Sequence, residues 1–226
     1  MYFIEKNINR LMRQNSTFFL DPKELIQIKS KLKKSDYSIY YPYKDSEKVI
    51  LYCEKMPEVL LYEIKVNVPI RHQDILGALF SISIAKEMFG DILIIDNHYY
   101  IYILPMIRNY FESNFLMIKN SSIELEELPI DTLKNYERKY EKIEYIVSSN
   151  RIDTVISTIV HKGRSSIDEF IKKKEVMLNH DYLKDGSYKL REGDIFSIRR
   201  IGKFKYNGVL KMTKGNHLII EVLKYL

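Results

Sequence analysis

The stretch that decides the fold runs from Ser148 to Lys205. It begins SSNRIDTVISTIVHKGRSSIDEFIKKK at residues 148–174 and ends REGDIFSIRRIGKFK at residues 191–205. Its first apolar residues recur at the i, i+3, i+4, i+7, i+8 spacing of one buried helix face: Ile152, Val155, Ile156, Ile159 and Val160. The segment 163–166 interrupts this period, and Ile167, Phe170 and Ile171 restart it. The pattern therefore predicts two successive helices.

A β-hairpin is predicted after these helices. The second helix ends in the cationic run Lys172 to Lys174, which complements the negative end of a helix dipole. Val176 and Leu178 then alternate with polar residues, and the segment 195–199 alternates again after turn signals at 185–186 and 193–194. Two helices and a hairpin thus fit within residues 148–205.

This segment resembles the RNA-binding domain named after ribosomal small-subunit protein four, called S-four-type below. The pattern of that domain is roughly R-L-D-x-x-L, then S-R-x-x-A-x-x-x-I-x-x-G-x-V-x-V-N-G, then a late G-D-x-I. The matching positions are Arg151, Ile152, Asp153, Ile156, Arg164, Ile171, Val176, Leu178, Asn179, Gly193, Asp194 and Ile195. The departures are Gly163, Ile167, Lys174 and His180, where the pattern usually has Ser, Ala, Gly and Gly.

Over most of its length the chain resembles the YlmH family of bacterial RNA-binding proteins. The further residues that carry this are His72-Gln73-Asp74 with Gly77, Gly90-Asp91-Ile92, and the segment Arg199 to Lys205. The resemblance implies an S-four-type domain behind two smaller ones. It also implies binding to rRNA and tRNA on the large ribosomal subunit, in the rescue of stalled, split ribosomes that still hold peptidyl-tRNA. Older descriptions link the family to cell division.

The positive charge is concentrated near the C-terminus. Residues 146–226 hold 16 Lys and Arg against 9 Asp and Glu, a net of +7, whereas residues 1–145 hold 20 against 21, a net of −1. A domain with a net positive charge is expected to bind a polyanion such as RNA. We expect no DNA partner. The alternative is a solvated basic surface without a ligand.

The cysteine content and the hydropathy of the sequence indicate the cellular compartment that we expect for the protein. Cys53 stands alone, which argues against a disulfide framework or a cysteine-based metal site. The sequence has neither a signal-peptide pattern nor an apolar run of about 18 residues. We expect a cytoplasmic protein without a membrane span. The phosphate-binding motifs G-x-x-x-x-G-K-[ST] and G-x-G-x-x-G are also absent, so no cofactor is expected.

We predict an α+β protein of three small domains. Residues 1–57 form an N-terminal α+β unit, 58–130 a ferredoxin-like or RRM-like domain of order βαββαβ, 131–147 a linker helix, and 148–226 the S-four-type domain with its helical αL motif and added strands. The linker helix is suggested by Tyr136 and Tyr140, one turn apart in a charged segment. Tyr99, Tyr100 and Tyr102 on a central strand have two interpretations, which are base stacking and ordinary packing in a sheet.

The predicted RNA-binding residues all lie in the C-terminal third. They are Arg151, Lys162, Arg164, Ser165, Lys172, Lys173, Arg199, Arg200, Lys203 and Lys205. Arg151 and Arg164 fall at the two predicted helix starts, where backbone amides and the helix dipole already favour phosphate. The alternative to an RNA-binding role for Lys172 and Lys173 is that they are solvated residues at a helix end. Asp153 is expected to orient Arg151 or to cap the helix.

The sequence supports a catalytic function less well than it supports RNA binding. His72 and Asp74 suggest acid–base chemistry only by proximity, since no nucleophile or metal-ligand set accompanies them. Lys211-Met212-Thr213-Lys214-Gly215 is similar to the K-M-S-K-S loop of class I aminoacyl-tRNA synthetases, but the H-I-G-H signature is missing. We therefore expect a non-enzymatic RNA-binding protein. The alternatives are an RNA-modifying enzyme, similar to pseudouridine synthases, with its catalytic part at about 58–130, and a protein adaptor.

Overall fold

A computed structural model describes residues 2–226, with the side chain of Arg164 excepted. The chain is α+β and divides into two compact units, the first ending at Glu137 and the second spanning Arg138–Leu226. Among the described residues, none of the helices is long and apolar enough to cross a membrane.

The first unit contains four α-helices and eight strands in the described part of the chain. In order they are α1 (Tyr2–Gln14), α2 (Pro22–Lys29), β1 (Ser38–Tyr40), β2 (Ile50–Tyr52), β3 (Leu60–Lys65), α3 (His72–Ser81), β4 (Phe89–Ile95), β5 (His98–Ile103), α4 (Arg108–Asn114), β6 (Met117–Ile118), β7 (Ser121–Ser122) and β8 (Glu124–Leu128). Short 3-10 turns lie at Lys34–Asp36, Lys86–Met88, Pro105–Ile107 and Ile130–Leu133.

Local sequence signals account for the N-terminal elements. Asp21 caps α2 by accepting a hydrogen bond from the Glu24 N–H at 2.8 Å, and the Glu24 carboxylate accepts in return from the Asp21 N–H at 3.0 Å. Pro22 occupies the first turn, where its missing N–H leaves no bond unmade. β1 and β2 pair as an antiparallel hairpin.

The central segment forms a four-stranded antiparallel sheet in the order β4-β5-β3-β8. The element order β3-α3-β4-β5-α4-β8 is the βαββαβ arrangement expected from the sequence, with the small hairpin β6–β7 inserted before the last strand. α3 and α4 cover one face, where Ile75, Leu79 and Phe111 pack against the sheet.

The other face of this sheet is partly covered by the N-terminal segment. Phe18, Phe19 and Tyr43 share one hydrophobic cluster with Leu61 and Tyr102 of the sheet. The predicted boundary at residue 57 therefore lies inside one compact unit, in which the N-terminal segment shares this cluster and also has a cluster of its own, formed by Leu11, Leu20, Ile28 and Leu51.

The second unit is built on a six-stranded antiparallel sheet in the order β11-β10-β12-β13-β14-β9. Its elements are β9 (Tyr140–Val147), α5 (Ile152–Val160), α6 (Arg164–Lys172), β10 (Val176–Leu178), β11 (Asp181–Tyr182), β12 (Ile195–Ile198), β13 (Gly202–Met212) and β14 (Leu218–Tyr225). Ile152, Val155, Ile156 and Ile167 of the two helices are buried against Phe204 and Tyr206 of the sheet. Both helices and the hairpin strands appear where the sequence predicts them.

The predicted linker helix at 131–147 is wrong. Residues 130–133 make one 3-10 turn, and Tyr140–Val147 form strand β9, which pairs along its whole length with β14. Ile143, Tyr145 and Val147 recur every second residue, so they share the face of the sheet that packs on the core. Strand β9 is therefore one edge of the sheet of the second unit, whereas residues 131–137 belong to the first unit.

Candidate RNA-binding surface

Arg151 stands immediately before α5 and is held there by Asp153. Its backbone is extended, with φ −66° and ψ 140°, so its side chain turns back over the first helical turn. Arg151 Nε donates to Asp153 Oδ1 at 3.1 Å, and Arg151 Nη2 donates to Asp153 Oδ2 at 2.6 Å. The Arg151 side chain is 39% exposed, whereas that of Asp153 is 7% exposed. This fork fixes the guanidinium at the helix start and leaves its remaining N–H groups for an anion.

The Asp153 carboxylate is fully engaged in this local network. Thr154 donates to Asp153 Oδ1 from its backbone N–H at 2.7 Å and from its hydroxyl at 3.2 Å. Burial alone acts to raise the pKa of Asp153, but the hydrogen bonds from Arg151 and Thr154 outweigh it and hold that pKa below its usual range. Asp153 therefore positions Arg151, as the sequence indicated.

The start of α6 provides the second part of the surface. Gly163 is the N-cap, with φ −67° and ψ 160°, and the exposed Ser165 follows it. Lys162 is exposed, with its Nζ 5.1 Å from the centre of the Phe170 ring. The backbone of Arg164 begins α6 as predicted, while the placement of its side chain lies outside the described residues.

The cations at the other end of α6 adjoin the turn between β12 and β13. Lys172 and Lys173 are exposed, and Lys173 pairs with Glu169 at 3.5 Å. Arg199 and Arg200 are exposed in the turn, and the Arg199 N–H donates to the Glu175 carbonyl oxygen at 2.8 Å. The turn between β12 and β13 therefore lies beside the residues that follow α6.

Lys203 and Lys205 project from the opposite face of the sheet. They alternate along β13 with Phe204 and Tyr206, whose side chains are buried under α5 and α6. Lys203 Nζ accordingly lies 4.8 Å from the centre of the Tyr225 ring. The structure thus separates these two lysines from the cations at the helix starts, so one flat RNA contact does not include the whole predicted set.

Of the two interpretations of the central tyrosines, ordinary packing applies to two of the three. Tyr99 is 5% exposed and its hydroxyl accepts from the Ile70 N–H at 3.1 Å. Tyr102 is fully buried and stacks on Tyr43, with ring centres 5.9 Å apart. Tyr100 remains half-buried beside His98. Base stacking on Tyr99 and Tyr102 is excluded because the rings are inside the core.

The residues at 71–74 and 90–92 have structural roles. Asp91 accepts hydrogen bonds from the Tyr43 hydroxyl at 2.6 Å and from the Glu47 N–H at 2.7 Å, which ties the β1–β2 loop to β4. A Cβ at Gly90 would lie 2.9 Å from the Phe19 ring, so the sheet tolerates no side chain there. Asp74 accepts from the Arg71 N–H at 2.9 Å, and the Arg71 side chain and Lys119 hold the pKa of Asp74 well below its usual range.

Comparison with known proteins assigns the class. Residues 58–132 match the family model described as a putative RNA-binding domain in YlmH. The chain is 25% identical over 215 residues to the ribosome-associated protein quality control protein P2 of Bacillus subtilis (strain 168), covering 89% of this chain and 84% of the relative. The cell division protein ylmH from Streptococcus pneumoniae superposes with a TM-score of 0.47 at 20% identity, covering 58% of this chain and 90% of that chain.

The matched domain, together with the relative aligned along most of the chain, defines an RNA-binding protein. Residues 58–132 thus form a domain of the kind found in YlmH, and the chain as a whole is similar to the Bacillus subtilis protein.

Proposed function

We propose that this protein binds structured RNA through its C-terminal unit and acts without catalysis in ribosome-associated quality control. The observation that carries the proposal is the division of charge between the two units. Residues 138–226 hold 19 Lys and Arg against 11 Asp and Glu, a net of +8, whereas residues 1–137 hold 17 against 19, a net of −2. Attraction to phosphate therefore comes from the second unit.

The central domain contributes differently. Residues 58–132 carry 5 Lys and Arg against 11 Asp and Glu, a net of −6. Part of its sheet face, where an RRM stacks bases, is filled by Tyr43, Phe18 and Phe19. We propose that this domain contributes to RNA binding through the half-buried Tyr100 rather than through phosphate contacts.

The second unit is proposed to be an S-four-type domain. Two successive helices followed by antiparallel strands fit that pattern, and Arg151, Asp153 and Gly193-Asp194 stand at its motif positions. Arg151 and Arg164 at the helix starts would clamp phosphates, with Lys162 and Ser165 beside them. Lys172, Lys173, Arg199 and Arg200 would contact a second strand of the same RNA.

The proposed ligands are rRNA and tRNA on the large ribosomal subunit, where a stalled complex retains peptidyl-tRNA. The support is the name of the Bacillus subtilis relative, which is a ribosome-associated quality control protein. A role on ribosomes would locate the protein in the cytoplasm.

The test is sedimentation of the purified protein with separated large and small ribosomal subunits over a series of salt concentrations. We expect co-sedimentation with the large subunit, with an affinity that falls steeply with salt because counterions are released from each contacted phosphate. Mass spectrometry of the rRNA nucleosides, compared before and after incubation with the protein, should then show no new modification. Equal binding to both subunits would refute the large-subunit assignment, and a modified nucleoside would favour the RNA-modifying alternative.

A further inference from the structure

The end of β13 and the start of β14 form a hairpin that extends beyond the neighbouring strand. β12 pairs with β13 only as far as Lys205, so among the described strands β13 has a partner on one side alone from Gly208 onward. Val209 and Leu210 are each 49% exposed, Lys211 is exposed, and Met212 is 62% exposed. The β13–β14 ladder is irregular between Tyr206 and Gly208 and between Val209 and Lys211, and the four consecutive side chains 209–212 are all exposed, so neither face of this segment is covered. We call residues 208–217 the hairpin arm.

The tip of the hairpin arm has a fixed backbone. The Thr213 N–H donates to the His217 carbonyl oxygen at 2.8 Å, and the His217 N–H donates to Thr213 Oγ1 at 3.0 Å. Asn216 adopts the left-handed φ of 59° that closes the turn, and its N–H donates to the Thr213 carbonyl oxygen at 3.1 Å. Lys214 is therefore presented on a preformed turn, which reduces the ordering that binding would require.

The arm also lies in the most one-sided charged segment of the chain. From Ile195 to Ile220 there are six Lys and Arg residues and neither Asp nor Glu. Lys211 and Lys214 are exposed, and neither forms an ion pair among the residues that the structure describes. The next carboxylate along the chain, Glu221, accepts a hydrogen bond from Asn207 at the base of the arm.

The arm lies at the same end of the sheet as Arg151. Leu218 at the arm's base pairs with Val147, and Arg151 follows Val147 by four residues. Four residues span at most roughly 14 Å. An RNA helix seated on Arg151 is therefore within reach of the arm.

We propose that the hairpin arm is a second RNA-binding element, in which Lys211 and Lys214 contact phosphates while Leu210 and Met212 pack on riboses. The wide, shallow minor groove of an RNA helix exposes sugar edges between its phosphate rows, and a narrow hairpin with cationic and aliphatic side chains matches that surface. A peptide without acidic residues would gain from the aliphatic side chains but not from Lys211 and Lys214, whereas RNA uses both kinds of side chain. The inference rests on the proposed function, since it extends the same RNA contact.

The experiment measures binding of the full-length protein to protein-free rRNA extracted from large ribosomal subunits, and to the intact subunits. The test variant carries Lys211→Ala and Lys214→Ala, and a charge-preserving variant carries Lys211→Arg and Lys214→Arg. The matched control carries Lys31→Ala and Lys33→Ala, two exposed lysines of the first unit. Circular dichroism verifies that each variant is folded.

We expect the double alanine variant to bind both ligands roughly tenfold more weakly, and the salt slope to fall by about two, one per lost phosphate contact. The arginine variant and the control should match the wild type. Unchanged affinity and slope for protein-free rRNA would overturn the proposal, and a loss confined to intact subunits would assign the arm to a ribosomal protein instead. Should the wild type itself bind rRNA without salt dependence, the proposed function fails, which is a distinct result.

Discussion

Arg151 and Asp153 are two residues apart and form a two-point ion pair across the start of α5, with Nη2 to Oδ2 at 2.6 Å and Nε to Oδ1 at 3.1 Å. The pair couples the stability of the second unit to its proposed ligand site, because the residue that would meet phosphate is the residue that neutralises a buried carboxylate. Removing Arg151 leaves the Asp153 carboxylate with the hydrogen bonds from Thr154 alone.

Replacing Asp153 by Asn should destabilise the second unit at neutral pH by about 1–3 kcal/mol, since a charged hydrogen-bonded pair in a buried site is lost. The folded-state pKa of Asp153 lies below its unfolded value near 3.9, so its stabilisation is present above that value and is lost as the pH falls through the folded pKa. The difference between wild type and Asp153→Asn should therefore shrink below pH 4. Because the chain has two compact units, amide hydrogen exchange in α5 and β14 is the readout. A difference that stays constant between pH 7 and pH 3 would contradict the assignment.

Lys48 should make the first unit more stable at alkaline pH. Its Nζ donates to the carbonyl oxygens of Lys86 at 2.7 Å and Phe89 at 2.8 Å, and burial lowers the pKa of Lys48 to about 8 despite the nearby Asp91. The unfolded chain, with a lysine pKa near 10.4, then binds more protons between these values, so the free energy of unfolding rises with pH across that window. Lys48→Met should abolish this rise.

The control for Lys48 is Lys33→Met, at an exposed position in the same unit. Denaturant unfolding followed between pH 7.5 and pH 10.5 checks the prediction. A parallel pH profile for wild type and Lys48→Met would show that the buried amine does not titrate in this range.

Tyr102→Phe should stabilise the first unit. Among the described residues the buried Tyr102 hydroxyl has no hydrogen-bond partner, and an unsatisfied buried hydroxyl costs about 1 kcal/mol or more. Thermal unfolding of the variant should show a higher Tm, while Tyr100→Phe, at a half-buried position, serves as the matched control. Affinity for rRNA should be unchanged, since Tyr102 is inside the core. A lower Tm, or weaker RNA binding, would contradict this placement.

Local patterns predicted most of the elements, because α5, α6 and the hairpins depend on periodicity and turn residues within short windows. β9 was missed because Tyr136 and Tyr140, one helical turn apart in a charged segment, favoured a helix. It becomes a strand only because β14, distant in the sequence, supplies a partner for every residue. The burial of Tyr102 depends likewise on Tyr43 and Phe19, which no local pattern around residue 102 reveals.

The sequence predicted which residue types belong to the candidate site better than it predicted how those residues are arranged in space. The cations of the C-terminal unit could be named from the sequence, whereas the alternation that sends Lys203 and Lys205 to the far face required the register of β13. The strands of the hairpin arm are the strands that the sequence predicts as additions to the S-four-type domain. The arm's exposure on both faces depends on where β12 stops pairing.

The central claim is that the helix starts of the second unit bind RNA by phosphate contacts. The most direct measurement is the affinity of the Arg151→Ala, Arg164→Ala double variant for large-subunit rRNA by filter binding, over a salt series, with Lys31→Ala, Lys33→Ala as the control. The account predicts an affinity lower by at least tenfold and a salt slope reduced by about two, with amide exchange in β14 still protected. Wild-type affinity and slope in the folded double variant would contradict it.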